Sequence, residues 1–382
     1  MRVFCAKVLL FSDMDKFLGE KAGKLGEMLY MSFFLRTFAP NFVEKDMFTR
    51  TMVRTKVLQT LFAYYKDGDK TPLTARKELL KSYADTYDLY VMLLDFVNAM
   101  TDYAEQQIEQ AEQRAKITHT LYVPNRRFVK NKFAKQIFEN RNIRKRVDEE
   151  HLSWDAGMSA VAAVYKQLQE QDFYKDYMAM REWGYEQDKA VWREIYMKLL
   201  FENQALTDAL EEMEIALDKT DWADNQDLML LAALNTVRSF RSVTAYTKDL
   251  SPMFDDEQEA AFGEQLLQYA LDGHEQFEQL INKNLINWEA DRIAYMDRII
   301  LEQALAEITH FEEIPLQVSL NEYIELAKEY SGEKSYLFVN GILNEILRKM
   351  KRDGTLLKAT TLKEETPIAT EEESPRSEAE EK

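Results

Sequence analysis

The stretch Ser335-Tyr336-Leu337-Phe338-Val339-Asn340-Gly341-Ile342-Leu343-Asn344-Glu345-Ile346-Leu347 (SYLFVNGILNEIL) sets a turn-forming Asn-Gly pair in the middle of an apolar run. Phe338, Val339, Ile342, Leu343, Ile346, Leu347 and Met350 recur at i, i+1, i+4 and i+5, which is one broad helical face. A glycine inside a helix costs about 1 kcal/mol relative to alanine. Either a hairpin turn interrupts the pattern, or the absent side chain is needed for a close approach.

The surrounding sequence favours helix. Residues 296–308 (MDRIILEQALAEI) are apolar on most sides, the pattern of a buried central helix. Pro315 marks a loop, and Ser319-Leu320-Asn321-Glu322 fits a capping box opening a helix over 319–330, closed by Gly332. Further helices are expected over 256–283, 290–310 and 335–351. Upstream, 50–66 (RTMVRTKVLQTLFAYYK) is amphipathic, with Val53, Val57, Leu58, Leu61, Phe62 and Tyr65 on one face and Arg50, Arg54 and Lys56 elsewhere. Gly68 suits a left-handed C-cap. Helices over 73–115, 153–175, 176–202, 205–217 and 225–244 complete an all-α reading. Only 11 Gly and 7 Pro in 382 residues, with no alternating Val/Ile/Thr runs, argue against a β fold.

The net charge of −18 repels nucleic acid and anionic membrane, so any RNA contact needs a local basic patch. Such a patch exists on paper. Residues 114–147 hold 11 Lys/Arg and one acid, Glu139, with Tyr122, Phe128, Phe133 and Phe138 interleaved. Cations bind phosphate and exposed aromatics stack bases, though the same spacing also describes a helix with a buried aromatic face and a basic solvated one. One cysteine, Cys5, excludes an internal disulfide framework and fits a reducing, cytoplasmic setting. No run reaches the ~20 apolar residues of a membrane span. No phosphate-cradling glycine loop, CxxC pair or G-x-S-x-G turn appears. Glu307-x-x-His310 has the spacing of a carboxylate–histidine metal pair but lacks a matching copy, so no cofactor or metal and no catalysis are expected. Residues 1–46 carry no sustained period and are expected to be a spurious or disordered extension, with translation starting at Met47. Residues 353–382 are expected to be an acidic disordered tail; Lys363 to Lys382 hold eight acids and three bases.

These segments resemble the NusB transcription antitermination family. Residues 54–65 (RTKVLQTLFAYY) are similar to its opening helix. Ile314-Pro315, Asn321-Glu322-x-x-Glu325-Leu326-Ala327-Lys328 and Phe338-Val339-Asn340-Gly341 are similar to motifs of its last helices. The resemblance, closest to enlarged Bacteroidetes-type members, implies a NusB-type helical bundle. Residues 47–115 would hold its N-terminal helices, 116–253 a helical insertion with the basic segment 114–147, and 254–352 its C-terminal bundle. It implies that Phe338-Val339-Asn340-Gly341 lies within a helix, and the physical reading is then that Gly341 lets a neighbouring helix pack closely. It further implies binding of boxA-containing ribosomal RNA together with NusE, a small-subunit ribosomal protein, and action with other Nus factors on RNA polymerase. Carried over by position, Arg50, Arg54, Lys56, Phe62, Asn284, Lys334, Phe338 and Asn340 would meet RNA, and Asp291 and Asp297 would meet NusE. The opening carries fewer arginines than is typical, so Arg126, Arg127, Lys130 and Lys132 are expected to supply the missing cations. The alternatives are a ribosome-assembly adaptor with the same partners, or the RNA-binding front end of an rRNA methyltransferase.

Overall fold

The computed structural model describes residues 47–243, 248–285, 293–356 and 358. Among these there are thirteen α-helices, one π-helical turn and no strand. The chain divides into two units, Met1–Asp272 and Gly273–Lys382. The expected extension 1–46, the tail beyond Lys358 and Asp291 lie outside the described residues.

The first unit is built on one long helix. Helix α1 (Arg50–Lys66) starts at Thr49, whose hydroxyl accepts from the Met52 N–H. It does not end on a left-handed glycine: Asp67 caps it in extended conformation, and the only glycine with positive φ among the described residues is Gly354. Helix α2 (Pro72–Thr118) has Thr71 as N-cap, Pro72 at the first position and left-handed His119 at its end, and at 47 residues spans about 70 Å. Its middle is buried all round, from Leu89 through Leu94 without a break.

Helices α3 (Lys132–Phe138), α4 (Arg141–Glu149), α5 (Met158–Glu170), α6 (Asp172–Ala179) and α7 (Tyr185–Ile195) follow, then the π turn Tyr196–Leu200. Helices α8 (Gln204–Leu217) and α9 (Trp222–Ser239) come next. Helices α1, α3, α4, α5 and α9 pack on α2. The two long helices expected over 153–202 are thus three helices and a π turn. Breaks fall at Gln171 and at Met180–Gly184, where extended backbone takes over. The core includes Trp192, Trp222, Tyr90 and Tyr196, all fully buried. Tyr196 donates to the Leu93 carbonyl (2.6 Å) and Trp222 Nε1 to the Asp85 carbonyl (2.7 Å), so burial leaves neither donor unsatisfied.

Helix α10 (Glu257–Lys283) runs through the division between the units. Its Gly263 lies against Val53 and Tyr83, and a Cβ there would collide with both.

In the second unit, α11 (Tyr295–His310), α12 (Leu316–Tyr330) and α13 (Ser335–Arg352) pack on one another. Helix α11 is buried from Ile299 to Ile308, as its all-round apolar sequence predicts. Helix α12 begins at Leu316, directly after Pro315, three residues ahead of the expected cap. Ser319 is inside that helix and buried, its hydroxyl 2.7 Å from Glu307 Oε1, while Tyr323 Oη lies 2.9 Å from Oε2. Glu307 is therefore held by two hydroxyls of α12, and His310 Nδ1 sits 3.0 Å from its own helix's Ala306 carbonyl. Lys358, assigned to the tail on sequence grounds, is buried with Nζ 3.1 Å from Ser319 Oγ.

Candidate nucleic-acid interface

Helix α1 was expected to show its cations to solvent, and the structure corrects this. Arg54 and Lys56 are each 2% exposed. Lys56 Nζ lies 2.7 Å from Asp221 Oδ2, tying α1 to the start of α9. Arg54 places its guanidinium over the Phe262 ring at 5.4 Å. Arg50 is half-buried, forms a two-pronged pair with Glu259 (3.0 and 2.8 Å) and also stacks on Phe262 at 5.1 Å. The physical reason is that α1 packs on both α2 and the first half of α10, so little of its circumference faces water. Phe62 is half-buried beneath the Lys66 ammonium, 5.4 Å from the ring.

In the second unit the Asn-Gly pair is helical, inside α13. Phe338 is buried (8% exposed) and belongs to the core face with Val339, Ile342 and Leu343. Gly341 is exposed and a Cβ there would meet nothing within 4 Å among the described residues, so no described helix packs against it. Close approach is found at other glycines of the described residues, Gly263 among them, and not at Gly341. Asn340 is half-buried, its side-chain oxygen accepting from Asn344 Nδ2 (2.7 Å). Lys334 is exposed at the N-cap of α13. Asn284 is buried, donating to the Leu280 carbonyl and accepting from Lys349 Nζ (2.6 Å). Asp297 is buried, with Oδ2 accepting from Ser335 Oγ (3.0 Å) and Oδ1 without a partner among the described residues.

The basic stretch splits both readings of its aromatics. Phe128 and Phe133 are core residues, Phe128 tilted against Trp192 and Phe133 edge-to-face with Phe240. Tyr122 and Phe138 are exposed. Arg126 and Arg127 are held by partners within the fold. Arg126 pairs with Glu112 (2.9 Å) and Glu105, and the Glu112 hydrogen bond holds its guanidinium above the usual range. Arg127 donates to the Tyr177 and Met180 carbonyls and lies 4.2 Å over the ring of Trp183. Lys130 and Lys132 are exposed. Together Arg126, Arg127, Lys130 and Trp183 line an open groove of about 460 Å³. Nothing in the local sequence marks Trp183, which reaches the groove only because the 180–184 turn brings it under Arg127.

A family model described as "NusB family" matches residues 191–348. The chain is 42% identical over 102 residues to the transcription antitermination protein NusB of Bacillus subtilis (strain 168), covering 27% of this chain and 78% of that protein. The chain belongs to the NusB family. The NusB of Salinibacter ruber (strain DSM 13855 / M31) is 40% identical over 107 residues, 28% of this chain and 67% of that protein. That of Clostridium botulinum (strain Alaska E43 / Type E3) is 49% identical over 72 residues, 19% and 54% of the two chains. No solved structure matches the chain.

The NusB match opens inside α7, so it takes in the end of the stretch read as an insertion, and α1 lies outside it. Within the match fall Asn284, Asp297, Lys334, Phe338 and Asn340. Arg50, Arg54, Lys56, Phe62 and the basic stretch precede it. No described helix is long and apolar enough to cross a membrane.

Proposed function

We propose that this chain is an RNA-binding transcription antitermination factor that engages a boxA-type ribosomal RNA leader together with NusE and acts, with other Nus factors, on RNA polymerase. The observation that carries this is the 42% identity covering 78% of a transcription antitermination protein of Bacillus subtilis. The reading is supported by what the second unit offers: a helix α13 with Lys334, Leu337 and Gly341 exposed, where an incoming chain meets a cation and an open backbone. In this reading Lys334, Asn340 and the edge of Phe338 contact RNA, with Arg50 and Phe62 as further contacts from α1. Arg54, Lys56 and Asn284 act by fixing the helices. In this reading Asp291 and Asp297 are the carboxylates on the NusE side, with Asp297 acting through the start of α13, whose Ser335 Oγ donates to its Oδ2.

The test is a pull-down with NusE followed by boxA RNA binding of the pair against the chain alone. Tighter binding by the pair is expected. No capture of NusE and no difference between boxA and a scrambled RNA would overturn the proposal.

A further inference from the structure

Two short helices of the first unit carry charge that their own fold does not use. Helix α3 is capped by Asn131, whose Oδ1 accepts from the Ala134 N–H (2.8 Å), and by buried Asp188, which accepts from the Lys132 N–H (2.8 Å). Helix α4 is capped by Asn140, accepting from the Asn142 and Ile143 N–H groups (both 3.0 Å). Both asparagines and Asp188 are buried, so the two helices are firmly set. Each begins with a cation, Lys132 and Arg141, and neither has an acid in its first turn. A positive side chain at a helix N-terminus opposes the macrodipole, so this placement works against helix stability. Among the described residues Lys130, Lys132, Arg141 and Arg144 make no ion pair, and all four are exposed. Lys135 and Lys145 hold only loose partners, half-buried Glu139 and exposed Glu149, each at 3.8 Å. In a chain of net charge −18, the ridge of the first four is a local run of exposed positive charge with no ion pair among the described residues.

At the elbow between the helices Phe138 is 55% exposed. It shares a cavity of about 380 Å³ with Arg144, and the walls include Tyr103, Trp154, Asp95 and Asp102. That volume falls within the ~300–1,000 Å³ of small-ligand pockets. The carboxylates repel phosphate and accept from N–H donors, while the rings offer flat apolar faces. Phosphate is therefore favoured on the cationic rim and a planar group with amino hydrogens inside.

We propose that the outer faces of α3 and α4 bind single-stranded RNA, with Lys130, Lys132, Arg141 and Arg144 along the phosphates. Phe138 stacks a base whose exocyclic amine reaches Asp95 or Asp102. This rests on the RNA-binding reading for the class of ligand, but it places the contact outside the NusB match, and of its four cations only Lys130 borders the groove of the internally paired Arg126 and Arg127.

The test uses the full chain with short oligocytidine and oligouridine, read by fluorescence anisotropy across a salt series. The variant carrying Lys130→Gln, Lys132→Gln, Arg141→Gln and Arg144→Gln should shallow the log–log salt slope by about 0.7 per lost contact. Phe138→Ala should weaken oligocytidine binding about tenfold. It should also erase the preference of cytosine, which has an amine, over uracil, which has none. Lys166→Gln, an exposed cation off the ridge, serves as the control. Unchanged slope and affinity in both ridge variants, with unaltered melting temperatures, would overturn the inference. BoxA binding with NusE, measured on the same proteins, separates the two proposals. If boxA binding is intact and blind to the ridge variants, the ridge inference alone fails. If boxA and NusE binding are absent while oligocytidine binding still depends on the ridge, only the antitermination reading fails. Ridge-dependent binding of a protein, with no RNA bound, also overturns the inference.

Discussion

At the scale of single residues, two glycines exchange the roles the sequence suggests. Gly341 stands out because it interrupts an apolar helix, yet it faces open space. Gly263 sits in an unremarked AAFGEQ segment, yet Val53 and Tyr83 occupy the volume its side chain would need. Spacing shows where a glycine is costly to a helix; it does not show what approaches from another helix. Gly341→Ala should therefore stabilise the chain by about 1 kcal/mol in chemical denaturation. If it does so while weakening partner binding, the glycine answers an external surface. Gly263→Ala should destabilise by ~1–3 kcal/mol, through overpacking at the α1–α2–α10 junction. Asp95 gives a pH-dependent case. Desolvation pushes its carboxyl up to about 6, with Asn98 donating to it at 2.7 Å. A folded value above the unfolded ~3.9 means that the native state holds the extra proton between pH 4 and 6. Stability contributed below that window is then lost as pH rises through it. Asp95→Asn should raise stability at pH 7 by on the order of 2 kcal/mol and leave it nearly unchanged at pH 4. Equal gains at both pH values would contradict this.

At the scale of elements, helices whose apolar face is continuous were legible: α1, α10, α11 and α13 appear within a few residues of expectation. The misread boundaries share a cause, which is that tertiary packing outranks local capping chemistry. Ser319 looks like a cap, but its hydroxyl is recruited by Glu307 of the neighbouring helix, and Pro315 starts the helix instead. Lys56 looks solvent-facing until Asp221, 165 positions away, claims it. The attachment of α4 to α2 is of the same kind. Asp88 is fully buried and receives Arg146 Nε (2.6 Å) and Lys219 Nζ (2.7 Å). Burial alone would lower the Lys219 ammonium, but Asp88, Asp85 and Glu150 together hold it raised. Removing the central carboxylate leaves Arg146 and Lys219 with only their longer pairs to Glu150 and Asp85, so Asp88→Ala should cost about 3 kcal/mol. Replacing all three members by apolar residues should cost much less. Urea unfolding of the single and triple variants checks both expectations, and similar losses in the two would mean that the network stabilises through its geometry instead.

At the scale of the whole molecule, fold class and family were readable because they rest on many residues at once, whereas the interface rests on a few cations whose partners are set by folding. Eleven Lys/Arg crowd residues 114–147, and the sequence treats them alike. Folding sorts them: Arg146 goes to Asp88, Arg126 to Glu112 and Arg127 to backbone carbonyls, leaving the exposed ridge as the residue of that sorting. The same division predicts opposite responses to salt. The net charge of −18 makes the folded chain repel itself, and raising ionic strength from about 0.01 to 0.15 M shortens the Debye length from ~30 to ~8 Å. Buried pairs such as Asp88–Lys219 are screened far less than the surface, so the melting temperature should rise across that range. Affinity for single-stranded RNA should fall over the same range, because bound cations release counterions from the strand. Melting and anisotropy measured in one set of buffers test both signs together. A melting temperature that falls with salt would mean that exposed ion pairs, such as Lys328–Glu325, outweigh the self-repulsion of the acidic surface.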